Sequence, residues 1–391
     1  MEKINYNFDE IIDRHHTCSI KYDKLKEMFG REDILPMWVA DMDFKTPEVV
    51  LKAVDEIRKK GVLGYSFRSS ESINYFAKWL ENRHNWKVNP DWISYSPGVV
   101  SALSFCVRLF TNKGDKILIQ TPVYPPFYSV VSDNNRELVC SALNKVNNKY
   151  EINWEDFESK LSSGVSMFIL CSPHNPVGRL WTKSELLKIG NLCIKYNVLI
   201  VSDEIHADLA LFDNKHIPIA SISEEIADIT ITCMAPSKTF NIAGVFNSNV
   251  IIKSKKMLDI YEKEINTLHL NMGNIFGHIT MEYAYKYGED WLNHMIKYLE
   301  GNINYTLKRF ATELPEITII KPEASFLLWL DFSQTGKTHK EVYDILINKA
   351  KVGLNNGLMF GKGGKDHFRM NIGCPRSVVE EGINRIIKNI K

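Results

Sequence analysis

The chain has little of what marks secreted, membrane-bound or nucleic-acid-binding proteins. No apolar run approaches the roughly 18 residues of a membrane-crossing helix. The opening MEKINYNFDEIIDRHHTC holds no apolar core followed by a cleavage site. Neither a membrane span nor a signal peptide is therefore expected, and the cytoplasm is the expected compartment. Charge of one sign is also lacking: 48 Lys and Arg nearly cancel 47 Asp and Glu, leaving +1. Without a broad basic field, neither nucleic acid nor an anionic membrane is an expected partner, and small molecules move up the list. Cysteines number only seven (Cys18, Cys106, Cys140, Cys171, Cys193, Cys233 and Cys374), an odd and scattered set with no CxxC pair. That argues against a disulfide framework and against a structural zinc site, so no metal is expected. Cys171 and Cys233 each follow an apolar run and read as buried thiols. Repeats and low-complexity segments are absent, and the 14 prolines and 21 glycines are dispersed rather than gathered in a linker.

What is present is apolar material in quantity: 45% hydrophobic, 11% aromatic and 24% charged residues over 391 positions. Single cores usually stop growing near 250–300 residues, so two domains, or a large one with a smaller one, are expected. From about residue 92 short strand-like runs alternate with helical segments: WISY (92–95), KILI (116–119), SMFIL (166–170), VLIV (198–201), ITIT (229–232) and NVIIK (249–253). Such alternation predicts βαβ units, an α/β fold and a mostly parallel sheet. A helix is predicted over 46–60, with Thr46 as cap and Pro47 in the first turn, and another over 182–196 from apolar spacings of three and four. After about residue 285 the pattern changes to helix (291–311), strand (324–332), helix (338–350) and a short FRMNIG (368–373), a second and smaller α+β unit. The first forty-odd residues lack the rhythm; they either join this unit or wrap the larger one.

Ligands in open α/β sheets bind beyond the carboxyl ends of the strands, so the residues after each run matter most. After WISY comes SPGVVSAL, where Gly98 permits a tight turn and the next amides can open a helix, a place for an anion. TPVYPPFY follows KILI and can hold Tyr124 rigidly; CSPHNPVG follows SMFIL and sets Asn175 in a turn. Asp203, Glu204 and His206 follow VLIV, and Lys238 lies six residues beyond ITIT. Singly, each has a bland reading: a turn, a helix cap, a solvated charge. Jointly they suit one ligand, an aromatic aldehyde with a phosphate and a ring nitrogen, which needs a lysine, a carboxylate, a donor to the ring hydroxyl, a stacking aromatic and an anion pocket. Pyridoxal 5'-phosphate (PLP) meets that description.

The order Asn175, Asp203, Lys238, Arg369, set in NPVG, SDEIH, SKTFNIAG and FRMNIG, resembles the class I/II aminotransferase superfamily (fold type I, aspartate aminotransferase-like) over nearly the whole chain. Within it MWVADMDFKTPEVV, GVLGYSF, RHNWKVNPDWISYSPGVV, TPVYPPF and SDEIHADL resemble the cystathionine β-lyase or C–S lyase branch, the MalY/PatB group. The resemblance implies a large PLP-binding domain over 46–284 and a small α+β domain from 1–45 and 285–391. It implies that Lys238 bonds the cofactor and moves the substrate Cα proton, that Asp203 faces the ring nitrogen, that Asn175 donates to the ring oxygen and that Tyr124 stacks on the ring. Ser237 with Gly98, Val99 and Val100 would hold the phosphate, Tyr65 would reach the phosphate of a neighbouring subunit in a homodimer, His206 would lie beside Asp203, and Arg369 would grip the substrate α-carboxylate.

Departures from the wider superfamily accompany the match. Phe246 stands where many aminotransferases carry a phosphate-binding arginine, and Ala324 and Ser325 replace a common Gly-x-Tyr segment. GKGGKDHF (361–368) lacks the GxGxxG spacing and reads as a substrate-side loop. The implied activity is β-elimination of L-cystathionine or related cysteine S-conjugates to pyruvate, ammonia and a thiol. The alternatives are a class I/II aminotransferase and a regulator that keeps the fold but acts through a protein partner.

Overall fold

The structure is a computed structural model that describes residues 6–147 and 149–391. Residues 1–5 of the expected small domain lie outside the described set. Seven strands form the central sheet: β1 (Ile93–Ser96), β2 (Lys116–Thr121), β3 (Glu137–Ala142), β4 (Val165–Cys171), β5 (Leu199–Asp203), β6 (Thr230–Met234) and β7 (Ser248–Ile252). Their spatial order is β1-β7-β6-β5-β4-β2-β3. Pairing is parallel from β6 through β3, while β7 runs antiparallel to both β6 and β1. The mostly parallel sheet follows from strands buried on both faces: Ile117 and Ile119 pack into one layer with the helix Val99–Phe110, while Leu118 between them packs into the other with Leu186 and Ile189.

Two elements depart from the expectations. The helix expected over 46–60 spans Glu48–Lys60 with Pro47 at its N-cap, because the Thr46 hydroxyl donates to the carbonyl of Asn241 (3.2 Å) instead of capping. The stretch 338–350 begins as the helix His339–Ile345, behind a Thr338–Glu341 capping box, and widens into a π-turn over Leu346–Ala350. By contrast Thr182 forms a full capping box with Glu185 and starts the helix Lys183–Lys195.

A second, antiparallel sheet consists of β8 (Thr318–Ile319), β9 (Leu327–Asp331), β10 (Asn355–Asn356) and β11 (His367–Asn371) in the order β8-β9-β11-β10. The long helix Glu289–Glu313 and the terminal helix Arg376–Ile390 pack with it. Early residues pack against this sheet and its helices: Phe8, Met37, Met42 and Phe44 share a core with Leu299, Phe326 and Ile383, a core that also takes in Phe76, Trp79 and Phe240, and Leu35–Pro36 pairs in parallel with Val352–Gly353. Among the described residues no helix is long and apolar enough to cross a membrane.

Candidate active site

The carboxyl ends of β4, β5 and β6 open into a cavity of about 250 Å³. Its wall includes Gly98, Val99, Val100, Tyr124, Asn175, Asp203, His206, Ser237 and Lys238, nine of the residues singled out from sequence. Each arrives there because a strand ends and the chain turns. Asp203 is the last residue of β5, Lys238 lies in the short turn Pro236–Thr239 after β6, and Gly98 caps the helix Val99–Phe110 without a side-chain bond to its first amides. Those amides leave a positive helix end facing the cavity.

Arg369 does not line this cavity; it stands behind Asn175 on β11, buried. Its Nη1 donates to Asn175 Oδ1 (2.9 Å) and its Nη2 to Asn355 Oδ1 (2.7 Å) and the carbonyl of Trp38 (3.2 Å), while Nε has no partner. Burial lowers its pKa to about 10, so it stays cationic at neutral pH. Tyr65 is placed elsewhere, 97% exposed on the surface of the chain.

Electrostatics within the cavity follow from burial. The Asp203 carboxylate is raised to about 7 by desolvation, against the pull of the Ile205 amide (3.1 Å) and of Lys238. Lys238 is lowered to about 8 by desolvation, and its Nζ donates to the Ala40 carbonyl (2.6 Å). His206 is pushed down to about 3, chiefly by burial and then by the charges of Lys238 and Arg369, so it is neutral; its Nδ1 lies 3.2 Å from Ser325 Oγ. Tyr124 is held above the ordinary tyrosine range by burial and by Asp203.

Four residues of the site carried no role in the sequence reading. Ala40 supplies the carbonyl on Lys238, Trp38 and Asn355 hold Arg369, and Asn247 is a buried cavity residue whose side-chain amide has no partner. Trp38 and Ala40 belong to the MWVADMDF string, so their signal was visible as a match without a role. Asn355 and Asn247 had no local pattern to reveal them.

These residues fit the group implied by the resemblance. Asp203 has one hydrogen-bond donor for a buried carboxylate and suits a cationic ring nitrogen. No carboxylate lies within 4 Å of the Lys238 amine among the described residues, and a neutral amine suits an aldehyde carbon. The bare helix end and the Ser237 side suit a phosphate, and no arginine contributes to the cavity wall among the described residues. Phe246, in the left-handed region at φ 48, lines the cavity.

Comparisons with known proteins extend over nearly the whole chain. The cystathionine beta-lyase PatB of Bacillus subtilis (strain 168) is 44% identical over 381 residues, covering 97% of this chain and 98% of that protein. The protein MalY of Escherichia coli (strain K12) is 29% identical, with 99% of each chain covered. Cystalysin from Treponema denticola, solved with a pyridoxal 5'-phosphate cofactor, superposes with a TM-score of 0.95 at 35% identity, covering 99% of both chains. Residues 32–386 match the family described as aminotransferase class I and II, and the chain belongs to that family.

Proposed function

We propose that this protein is a PLP-dependent carbon–sulfur β-lyase that eliminates the sulfur substituent of L-cystathionine or related cysteine S-conjugates, giving pyruvate, ammonia and a thiol. The observation that carries the reading is the meeting of Lys238, Asp203 and Asn175 at one cavity, with Arg369 bonded to Asn175 from behind. The match to PatB over nearly the full length supports the lyase branch. Bound PLP supplies an electron sink for the charge that develops when the Cα–H bond breaks.

Each residue then has a task. Lys238 holds the cofactor and, once free, takes the Cα proton on Nζ; with a pKa near 8 a useful fraction of the amine is neutral at physiological pH. Asp203 keeps the ring nitrogen protonated, and that nitrogen's charge favours the ionised carboxylate in turn. Asn175 donates to the ring oxygen, Tyr124 stacks on the ring and His206 supports it from beside Asp203. Ser237 and the backbone of Gly98, Val99 and Val100 receive the phosphate. Arg369 clamps the α-carboxylate, the fork matching two oxygens at once. As the Cβ–S bond breaks, sulfur leaves with the bonding pair and takes a proton from the Lys238 ammonium or the Tyr124 hydroxyl.

Residues 46–284 are read as the cofactor-holding domain and 1–45 with 285–391 as the domain that delivers Arg369. Homodimerisation completes the site, Tyr65 reaching the partner's phosphate. Purified protein incubated with L-cystathionine and no keto acid tests the reaction. Sustained release of pyruvate and thiol is expected; a single turnover that stalls with the cofactor in its amine form overturns the lyase reading in favour of an aminotransferase.

A further inference from the structure

Behind the cavity lies a buried polar cluster that the proposed chemistry does not use. Asp208, five residues after Asp203, sits in the short turn Ala207–Leu209 with its side chain almost fully enclosed. Its Oδ1 accepts from Trp79 Nε1 (2.9 Å) and lies 2.8 Å from His84 Nε2, and both residues belong to the helix Ser70–His84. Its other oxygen, Oδ2, accepts from the hydroxyl of Thr239 (2.8 Å). Arg83 closes the arrangement by donating from Nη2 to the Asp208 carbonyl (3.1 Å). Burial alone would raise this carboxyl, yet the bonds from His84 and Trp79 and the charges of His84 and Arg83 bring it down to about 2, so it is an anion across the working range.

Thr239 is the residue after Lys238. In a helix a threonine hydroxyl commonly bonds a carbonyl of the preceding turn; here it reaches across to another element. Phe240, next in line, is fully buried and meets the Trp79 ring edge-on at 5.6 Å. The turn that carries Lys238 is thus tied twice to the helix Ser70–His84, once by an anion and once by an aromatic contact. A tie of this kind matters because the lysine turn is only Pro236–Thr239, closed by the Phe240 amide on the Pro236 carbonyl (2.9 Å) and the Ile242 amide on the Ser237 carbonyl (3.1 Å).

We propose that Asp208, held by Trp79 and His84, is a positioning residue that aims the Lys238 amine through its hydrogen bond from Thr239. The inference rests on Lys238 being the cofactor lysine. Ground-state packing needs only that the turn be somewhere; proton transfer needs Nζ at one place, and misplacement by an ångström costs rate steeply.

The test uses the holoenzyme and three variants. Thr239→Val keeps the shape and removes the hydroxyl, Thr239→Ser restores it, and Thr111→Val removes a buried threonine hydroxyl that accepts from Arg136 Nε (2.9 Å) at the far end of the helix Val99–Phe110. Thr239→Val is expected to lower kcat about tenfold with KM within about twofold, and to move the pH midpoint of the bound cofactor's visible absorbance by about half a unit or more. Thr239→Ser should return both, while Thr111→Val should lower Tm and leave the midpoint unchanged. If Thr239→Val is not recovered folded, Thr239→Ala carries the same expectation. An unchanged midpoint and kcat in a folded Thr239 variant that loses only Tm overturns the proposal, as does a midpoint that shifts equally in Thr111→Val. Wild-type protein with no lysine-bound visible absorbance would overturn the cofactor reading itself, a different outcome from either.

Discussion

Asp203 and Lys238 carry opposite charges at one buried cavity, and burial acts on both. In the apoprotein the Asp203 carboxyl titrates near 7 instead of its ordinary 3.8. Between those values the folded chain binds more protons than the unfolded one, so the ionised carboxylate costs stability that grows as pH rises from about 4 to about 7 and persists above. Lys238, lowered to about 8, works the other way: the cost of its charge is full below that pH and is relieved as pH climbs toward 10.5. Asp203→Asn apoprotein is therefore expected to melt above wild type at about pH 7.5, with the gap narrowing toward pH 5, as scanning calorimetry would show. A gap that widens at acid pH would contradict the burial argument. At Arg369 the fork spans Asn175 and Asn355, which lysine cannot do with one nitrogen. Arg369→Lys should lower kcat/KM by about 10- to 100-fold, mostly through KM, the loss of one charged bidentate contact. Steady-state kinetics on cystathionine would show a kcat-only effect if the arginine serves some other purpose. The cavity residues were readable because each follows an apolar run directly. Asn355 and Asn247 were not, since their roles depend on which distant strand they meet.

Elements show the same division between local and non-local information. The runs KILI, SMFIL, VLIV and ITIT became β2, β4, β5 and β6 because continuous apolar stretches are what a doubly covered parallel strand requires. The edge strand β3, ELVCSA, is half-buried and lacks such a run, so it carried no signal. NVIIK was seen as a strand, yet its antiparallel direction depends on the chain returning between β6 and β1. Strand β11, which bears Arg369, is placed by backbone contact in the GKGGKDHF region. A Cβ on Gly357 would lie 2.1 Å from the Gly364 carbonyl oxygen and 2.2 Å from that of His367, both backbone atoms that cannot turn aside. Gly357→Ala is therefore expected to destabilise by about 2 kcal/mol or more and to raise KM, because relief of the clash moves β11. Urea unfolding with unchanged stability would show that the loop yields without moving the strand.

At the scale of the molecule, the early segment could not be assigned from composition because its partners lie three hundred residues away. Met37 meets β11 by backbone, the Asn371 amide donating to its carbonyl at 2.9 Å, and Ala40 then reaches Lys238. Both chain ends therefore converge on the site from the small sheet, while Tyr65 faces outward. Around that tyrosine Val62, Leu63 and Phe67 are 71%, 67% and 80% exposed, an apolar stretch that water solvates poorly and a second copy can cover. The chain is expected to sediment at micromolar concentration as twice its 45.0 kDa. Introducing Leu63→Glu with Phe67→Glu places two charges where the covered face must be desolvated, and should shift the protein to monomer. With Tyr65 at the neighbouring subunit's phosphate, as proposed, that monomer should also bind PLP more weakly by absorbance titration. A monomeric double variant with unchanged cofactor affinity would separate assembly from the site and remove Tyr65 from it; a double variant that remains a dimer would place the subunit contact on another face.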